Sequence, residues 1–170
     1  MPAKVLIVDD IVTNRIVLQV KLATAGYTVL QACSAREALQ TAREARPDLL
    51  LCPTRLQDMS TNAFHSAFEN DAQLSKIARI VLCEKGELKQ RLRFLKTGAI
   101  DVLPRPLNIG SLLARFRSIL RNHVSDEDVR LQERASRVTG FAENTLAFTR
   151  NTQVALVRET TEQAAEWQKA

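Results

Sequence analysis

The stretch Lys4-Val5-Leu6-Ile7-Val8-Asp9-Asp10 is a short apolar run that ends in two adjacent acidic residues. Four consecutive apolar residues predict a strand that is buried on both faces, as in a parallel sheet covered by helices. Two neighbouring carboxylates repel each other, and a nearby cation or basic side chain relieves that repulsion. The stretch therefore predicts an α/β fold with a charged site at the carboxyl end of its first strand.

Strand and helix patterns alternate five times over the first 121 residues. The predicted strands are Lys4–Val8, Tyr27–Ala32, Asp48–Cys52, Arg79–Cys83 and Ile100–Leu103. The predicted helices are Val12–Ala25, one capped by Ser34 and Glu37 that ends near Ala45, Thr61–Glu69, Glu87–Lys96 and an extended one that begins near Asn108. This alternation indicates a three-layer (βα)5 doubly wound parallel sheet with helices on both faces. Such sheets bind ligands at the carboxyl ends of their strands.

Composition and charge exclude several classes of protein. A chain of 170 residues holds one well-packed domain and an appendage. Residues 1–121 carry 18 Lys/Arg and 11 Asp/Glu, whereas residues 122–170 carry 6 and 8. A basic domain sometimes binds nucleic acid, but this one has no interleaved aromatic residues, recognition helix or zinc-ligand spacing. We therefore expect no nucleic-acid partner.

The sequence also indicates where the protein resides. It contains no run of about 18 apolar residues, so no membrane span is expected. Met1–Lys4 leads directly into a strand, which leaves no room for a signal peptide. The three cysteines, Cys33, Cys52 and Cys83, have no metal-ligand spacing and follow apolar residues. We interpret them as reduced, mostly buried thiols of a cytoplasmic protein.

The last 49 residues have a different pattern. Residues 125–136 are polar and compatible with a helix, Gly140 interrupts this pattern, and residues 144–151 are ambiguous. We interpret residues 122–152 as a helical linker. Residues 153–159 then resemble residues 4–10, and the pattern of residues 160–170 is helical, as it is after the first strand. Residues 153–170 are therefore either the start of a second, similar domain or a terminal helix joined to a chance apolar run.

Three motifs at their observed spacing resemble a response-regulator receiver domain of the CheY-like type. They are Val5–Asp10, Pro47-Asp48-Leu49-Leu50-Leu51 and Leu103-Pro104-Arg105-Pro106. The resemblance covers roughly residues 3–121 and implies the strand order 2-1-3-4-5. Asn14 and the stretch Arg115–Ser136 are similar to the first receiver of PleD-type diguanylate cyclases. That architecture places two receivers before a cyclase domain, whose Gly-Gly-Asp-Glu-Phe motif is absent from this chain.

The same resemblance implies a phosphorylation site that has lost most of its chemical groups. Receivers transfer a phosphoryl group to an aspartate after the third strand, helped by Mg²⁺ on an acidic pair. Here the acceptor position falls on Pro53 and the hydroxyl position on Cys83. The lysine position falls on Arg105 and the aromatic position on Val102. Only Asp9, Asp10 and Pro106 match the residues that the family has at these positions. We therefore expect no phosphotransfer and no enzymatic activity, with weak Mg²⁺ binding by Asp9 and Asp10 at most and no other cofactor.

Several alternatives stay open for this pocket. Arg105 either pairs with Asp9 or Asp10 and neutralises them, or is a simple exchange for lysine at a half-exposed position. Asp58, five residues after Pro53, is a candidate for an unorthodox phosphoacceptor. Cys83 is a candidate redox or ligand sensor, with opposing effects of the carboxylates and of Arg105 on its pKa.

Receivers commonly signal through the face formed by the fourth helix, fifth strand and fifth helix, and this face is basic here. Its candidate contact residues are Lys89, Arg93, Lys96, Asp101, Arg115 and Arg117. The helical spacing of Leu88, Leu92 and Leu95 predicts that these leucines pack inward. The first hypothesis is therefore a module that dimerises or positions a sister receiver, with a histidine kinase or a cyclase output domain as further partners.

Overall fold

The computed structural model describes residues 1–122. Its strands are β1 (Lys4–Val8), β2 (Thr28–Ala32), β3 (Leu49–Pro53), β4 (Ala78–Cys83) and β5 (Asp101–Pro104). Its helices are α1 (Val12–Thr24), α2 (Ala35–Ala45), α3 (Thr61–Glu69), α4 (Arg91–Lys96) and α5, which begins at residue 109 and continues through residue 122. The strands are all parallel in the order β2-β1-β3-β4-β5, which confirms the predicted fold and strand order.

Alternation along the strands divides the core into two apolar layers. Leu6 and Leu50 belong to one layer, which packs against α2, α3 and α4. Val5 and Leu49 belong to the other, which packs against α1 and α5. Because side chains of a strand alternate between faces, continuous apolar strands supply both layers at once. Helices therefore pack against both faces of the central strands. This packing sets the positions of the residues that follow the strands at the carboxyl end of the sheet.

The start of α2 shows how local polar groups set a helix boundary. Ser34 Oγ accepts a hydrogen bond from the Glu37 backbone N–H at 3.2 Å, as its predicted capping role requires. In a capping box the Glu37 carboxylate would accept a hydrogen bond from the Ser34 N–H. Here it accepts one from the N–H of the preceding residue, Cys33, at 2.7 Å. Two N–H groups without helical partners are satisfied in this way.

The region predicted as one helix, Glu87–Lys96, has two parts. Residues Lys85–Gln90 form a 3₁₀ segment, and only Arg91–Lys96 is α-helical. The prediction that all three leucines pack inward is wrong for Leu88 and Leu92, which are 42% and 72% exposed. A 3₁₀ turn contains three residues rather than 3.6, so positions four apart do not share a face across this junction. Leu95 alone packs against the core.

The cysteines also differ from expectation in one respect. Cys52 and Cys83 are buried free thiols, but Cys33 is exposed, because it lies in the loop that precedes the Ser34 cap. Within residues 1–122, no helix is long and apolar enough to span a bilayer. The predicted linker at 122–152, apart from its first residue, and the predicted echo at 153–170 lie outside the described residues.

Candidate functional site

Asp9 is buried at the carboxyl end of β1, and its polar atoms are already engaged. Its Oδ1 accepts a hydrogen bond from the Ile11 N–H at 2.9 Å. Its Oδ2 accepts from Asn14 Nδ2 at 3.1 Å, and Arg15 Nη1 donates to its carbonyl oxygen at 2.6 Å. The chain that follows β1 therefore folds back over Asp9 and supplies partners for its carboxylate.

Arg105 supplies the counter-ion of Asp9. Arg105 Nη2 lies 2.7 Å from Asp9 Oδ2, and the two side chains are 19% and 3% exposed. The Arg105 N–H donates to the Cys83 carbonyl at 2.8 Å, and the Arg105–Pro106 peptide bond is cis. Arg105 Nε is also 3.9 Å from Glu84 Oε1. The long guanidinium side chain thus reaches from the end of β5 to the end of β1 and neutralises the buried acid.

Asp10 has a different environment from Asp9. Its side chain is exposed, and its Oδ2 accepts a hydrogen bond from Gln57 Nε2 at 2.5 Å. Successive side chains at the end of a strand point in opposite directions, so only one of the two acids turns inward. The mutual repulsion expected from the sequence is reduced because the two carboxylates have separate partners.

Pro53 occupies the end of β3, beside Leu82 of β4. The next residue, Thr54, donates from Oγ1 to Glu87 Oε2 at 2.7 Å. This hydrogen bond lowers the pKa of Glu87, and the Glu84 N–H donates to the same oxygen at 3.2 Å. Sequence reasoning missed this link between the β3 and β4 loops, because no local pattern relates residues 33 positions apart.

Cys83 is buried at the end of β4. Burial raises the pKa of its thiol, and the nearby Glu87 carboxylate adds to the increase. Val102 on β5 and Cys52 on β3, which both pair with Val81, are also buried. Burial raises the pKa of Cys52 to about 12. A protonated, buried thiol is a weak nucleophile, so this geometry favours a packing role over redox sensing.

Asp58 performs a structural task at the start of α2. Its carboxylate accepts hydrogen bonds from the Ala35 and Arg36 N–H groups at 2.9 and 3.0 Å. These backbone bonds, above all that from Ala35, lower the pKa of Asp58. A carboxylate held at a helix N-terminus stabilises that helix, and both Asp58 oxygens are engaged in this way. The geometry therefore gives no support to Asp58 as an alternative acceptor.

The residues at this edge do not fit Mg²⁺. A magnesium ion requires near-octahedral oxygen ligands, usually several waters together with one or two carboxylates whose oxygens are free to coordinate it. Here Asp9 has a guanidinium and an amide on Oδ2 and a backbone N–H on Oδ1, and Pro53 offers no side-chain oxygen. Within residues 1–122, no three His, Cys, Asp or Glu side chains form a metal-binding group.

Some residues of the predicted basic interaction face form ion pairs within the chain, whereas others line a cleft or are exposed. Asp101, one of the candidate contact residues, lies 2.9 Å from Arg91 Nη2 and 3.1 Å from Arg115 Nε of its own chain. Arg93 and Lys96 instead line a cleft between α3 and α4. Lys89 and Arg117 are exposed. The face is thus partly neutralised within the chain, and its contact with a partner stays a prediction.

Sequence reasoning missed an exposed apolar surface on α1. We call it the α1 apolar face, and it comprises Ile11, Val12, Ile16, Val17 and Val20, each between 46% and 60% exposed. The inward stripe of this helix is Leu18 and Leu22, which are buried. The signal was present in the sequence, because α1 carries two apolar stripes and one face of a helix can bury only one. Clustered exposed apolar side chains commonly mark protein contacts.

The family described as the response regulator receiver domain matches residues 5–117. This chain belongs to the response-regulator receiver family. The receiver is 32% identical over 125 residues to the transcriptional regulatory protein ZraR of Escherichia coli O157:H7, covering 73% of this chain and 28% of ZraR. It is 29% identical over 140 residues to the response regulator PleD of Caulobacter vibrioides, covering 82% of this chain and 31% of PleD.

A solved structure gives the same result for the fold. The chemotaxis response regulator CheY4 of Vibrio cholerae superimposes with a TM-score of 0.64 at 28% identity, covering 70% of this chain and 99% of CheY4. The receiver therefore corresponds to a whole CheY-like domain, but it spans less than a third of the length of ZraR or PleD. It is a receiver domain of two-component signalling, and the similarity to PleD is no stronger than that to ZraR.

Proposed function

We propose that this receiver takes no phosphoryl group and acts as a phosphorylation-independent module that dimerises or positions an adjacent receiver or output domain. The observation that carries the proposal is the internal ion pair between Arg105 and Asp9, at 2.7 Å, beside a proline at the acceptor position. The pocket has a built-in cation where phosphotransfer needs an exchangeable one.

The chemistry of the pocket supports this proposal at each position. Pro53 has no nucleophilic atom, so no acyl phosphate can form there. Cys83 is a buried thiol whose raised pKa keeps it protonated, and its S–H is a weak donor for a phosphoryl oxygen. Arg105 is held by Asp9, so it is not free to pair with an incoming phosphate. Restoring the reaction would require at least these three positions to change together.

The surface supports an interaction role. The α1 apolar face exposes five large aliphatic side chains, and burying such side chains is the main driving force of association. The remaining exposed cations, Lys89 and Arg117, suit an acidic partner surface. The proposed partner is a second copy or a sister receiver in the cytoplasm. A histidine kinase or a diguanylate cyclase output domain is a further proposed partner.

An amide NMR titration of the full chain with Mg²⁺ and beryllofluoride tests the loss of phosphotransfer. We expect no saturable shifts around Asp9, Asp10 and Cys83 in the wild type. The matched variant combines Pro53→Asp, Cys83→Thr and Arg105→Lys, and it should show localised saturable shifts. Saturable shifts of those residues in the wild type would show that an acceptor exists, and the proposal would fail.

Sedimentation equilibrium tests the interaction role. If the α1 apolar face holds two copies together, Ile16→Glu with Val20→Glu should raise the dimer dissociation constant by more than about tenfold. Arg115→Glu with Arg117→Glu tests the α4-β5-α5 face in the same way. A wild type that remains monomeric at high concentration and binds no isolated sister receiver would contradict the proposed role.

A further inference from the structure

A cleft of about 660 Å³ lies between α3 and α4. Ser66 and Glu69 line it from the last turns of α3, and Arg93, Lys96 and Thr97 line it from the end of α4. Its volume lies within the range of about 300–1,000 Å³ that small-molecule sites occupy. None of the residues that line the cleft belongs to the phosphorylation pocket.

The rim of the cleft carries uncompensated positive charge. Among residues 1–122, neither Arg93 nor Lys96 has a carboxylate within ion-pair distance. The one lining carboxylate, Glu69, pairs with Arg79, which lies behind the cleft wall. The carbonyl ends of α3 and α4 contribute about half a negative charge each, so the three cations still exceed the negative groups.

Arg79 is a buried cation with unused hydrogen-bond donors. Its side chain is 2% exposed, and its Nη2 contacts Glu69 and donates to the Gly98 carbonyl at 2.9 Å. Within residues 1–122, its Nε and Nη1 have no hydrogen-bond partner, and neither ring nitrogen of His65 has one. Its guanidinium also lies 5.3 Å from the centre of the Phe68 ring. A rigid guanidinium therefore stands directly behind two residues of the cleft wall.

Gly98 allows this close arrangement. Its φ is +87°, and an added Cβ would collide with the Glu69 carboxylate and the Arg79 guanidinium. The ion pair therefore lies against bare backbone, and the half-exposed Glu69 side chain is the movable member of the pair. If Glu69 turns outward, its carboxylate no longer offsets the charge of Arg79 behind the cleft wall.

We propose that the α3–α4 cleft binds a small phosphate-bearing anion. Arg93 and Lys96 hold the phosphate oxygens, and the Ser66 hydroxyl supplies a hydrogen-bond donor at the rim, whereas the Thr97 hydroxyl already donates to the Phe94 carbonyl. Arg79 contributes positive potential from behind, with Glu69 competing for it. Dispersed guanidinium and ammonium donors around one cleft match the several acceptor oxygens of a phosphate group. This binding site shares no residue with the phosphorylation pocket or with the α1 apolar face, but it uses Arg93 and Lys96 of the predicted basic interaction face.

An amide NMR titration of the full chain tests the site, with inorganic phosphate and glycerol 3-phosphate as probes and chloride holding the ionic strength constant. We expect saturable shifts at Ser66, Thr97 and Gly98. Arg93→Gln with Lys96→Gln should weaken binding by about tenfold or more, and Glu69→Gln should tighten it by about threefold, since a competing charge is removed. Tighter binding of glycerol 3-phosphate than of phosphate assigns the site to organic phosphates, and the reverse to the free ion.

The matched control is Lys89→Gln with Arg117→Gln, which removes the same charge elsewhere on the surface. Equal weakening in this control would show non-specific attraction and overturn the proposal. Unsaturable shifts, or Glu69→Gln without effect on affinity, would also overturn it. Binding of an acidic peptide but of neither phosphate probe at the same residues would identify the cleft as a protein contact instead.

Discussion

His65 should make this domain less stable as the pH falls below neutrality. The side chain is 1% exposed, and burial, assisted by the nearby Arg79 charge, lowers its pKa from 6.5 to about 4. The folded state therefore stays unprotonated while the unfolded chain takes up a proton. Stability from this group is complete above the unfolded pKa and declines as the pH falls toward the folded pKa.

The size of the effect follows from the two pKa values. A difference of 2.5 units corresponds to about 3 kcal/mol when the pH is below both values. Between about pH 7.5 and about pH 5.5 the expected loss is on the order of 1 kcal/mol. Asp58, Asp71 and Glu87 have lowered pKa values and stay ionised over this range, so they do not contribute to the loss.

Urea unfolding followed by far-ultraviolet circular dichroism at these two pH values measures the loss. His65→Phe replaces the imidazole with another aromatic ring that does not titrate, so the unfolding free energy of this variant should be equal at both pH values. His65→Leu provides a second non-titrating variant if the phenyl ring overpacks. The control is His123→Gln, which changes the other histidine of the chain, outside the described residues. A wild type with equal stability at both pH values, or a pH dependence that persists in both His65 variants, would refute the reasoning.

Three further pairs of substitutions test other parts of the structure by thermal unfolding. Gly98→Ala should lower the free energy of unfolding by about 1–3 kcal/mol, because the φ of Gly98 is positive and an added Cβ would meet the Glu69–Arg79 pair. The control is Gly86→Ala, which has open space around it and should change stability by less than about 0.5 kcal/mol. Arg105→Ala should cost about 3 kcal/mol by leaving the Asp9 carboxylate buried without its counter-ion, and equal stability of this variant and Arg105→Lys would contradict that pairing. Leu92→Ser should be neutral within about 0.5 kcal/mol while Leu50→Ala costs about 3 kcal/mol; comparable losses would mean that Leu92 is buried.

The sequence predicted the elements whose signals are local and strong. The bounds of β1 and α3 agree with prediction, because an uninterrupted apolar run marks β1 and the Ser60 cap precedes α3. The start of α4 was wrong because the 3₁₀ segment before it is held by Glu87, which bonds to Thr54 on another loop. A tertiary contact of that kind overrides helix propensity and leaves no local trace.

The candidate site could be predicted in its composition but not in its contacts. Topology places Asp9 and Arg105 at the same edge of the sheet, so their proximity was foreseeable. The sequence did not predict whether Arg105 pairs with Asp9 or Asp10, because the pairing depends on which of the two carboxylates points into the domain. Asp58 was equally ambiguous, since its partners are backbone N–H groups 22 and 23 residues away.

The ion pair between Asp9 and Arg105 joins two groups that the chain holds permanently together. The occupancy of a dissolved ion follows its concentration by mass action, whereas a tethered cation is present in every folded molecule. If the proposed function is right, the charge at this edge would not follow the magnesium and phosphodonor pools of the cell. For a module of the proposed kind, the number of complexes would be set by how much of the chain and its partner is made and degraded.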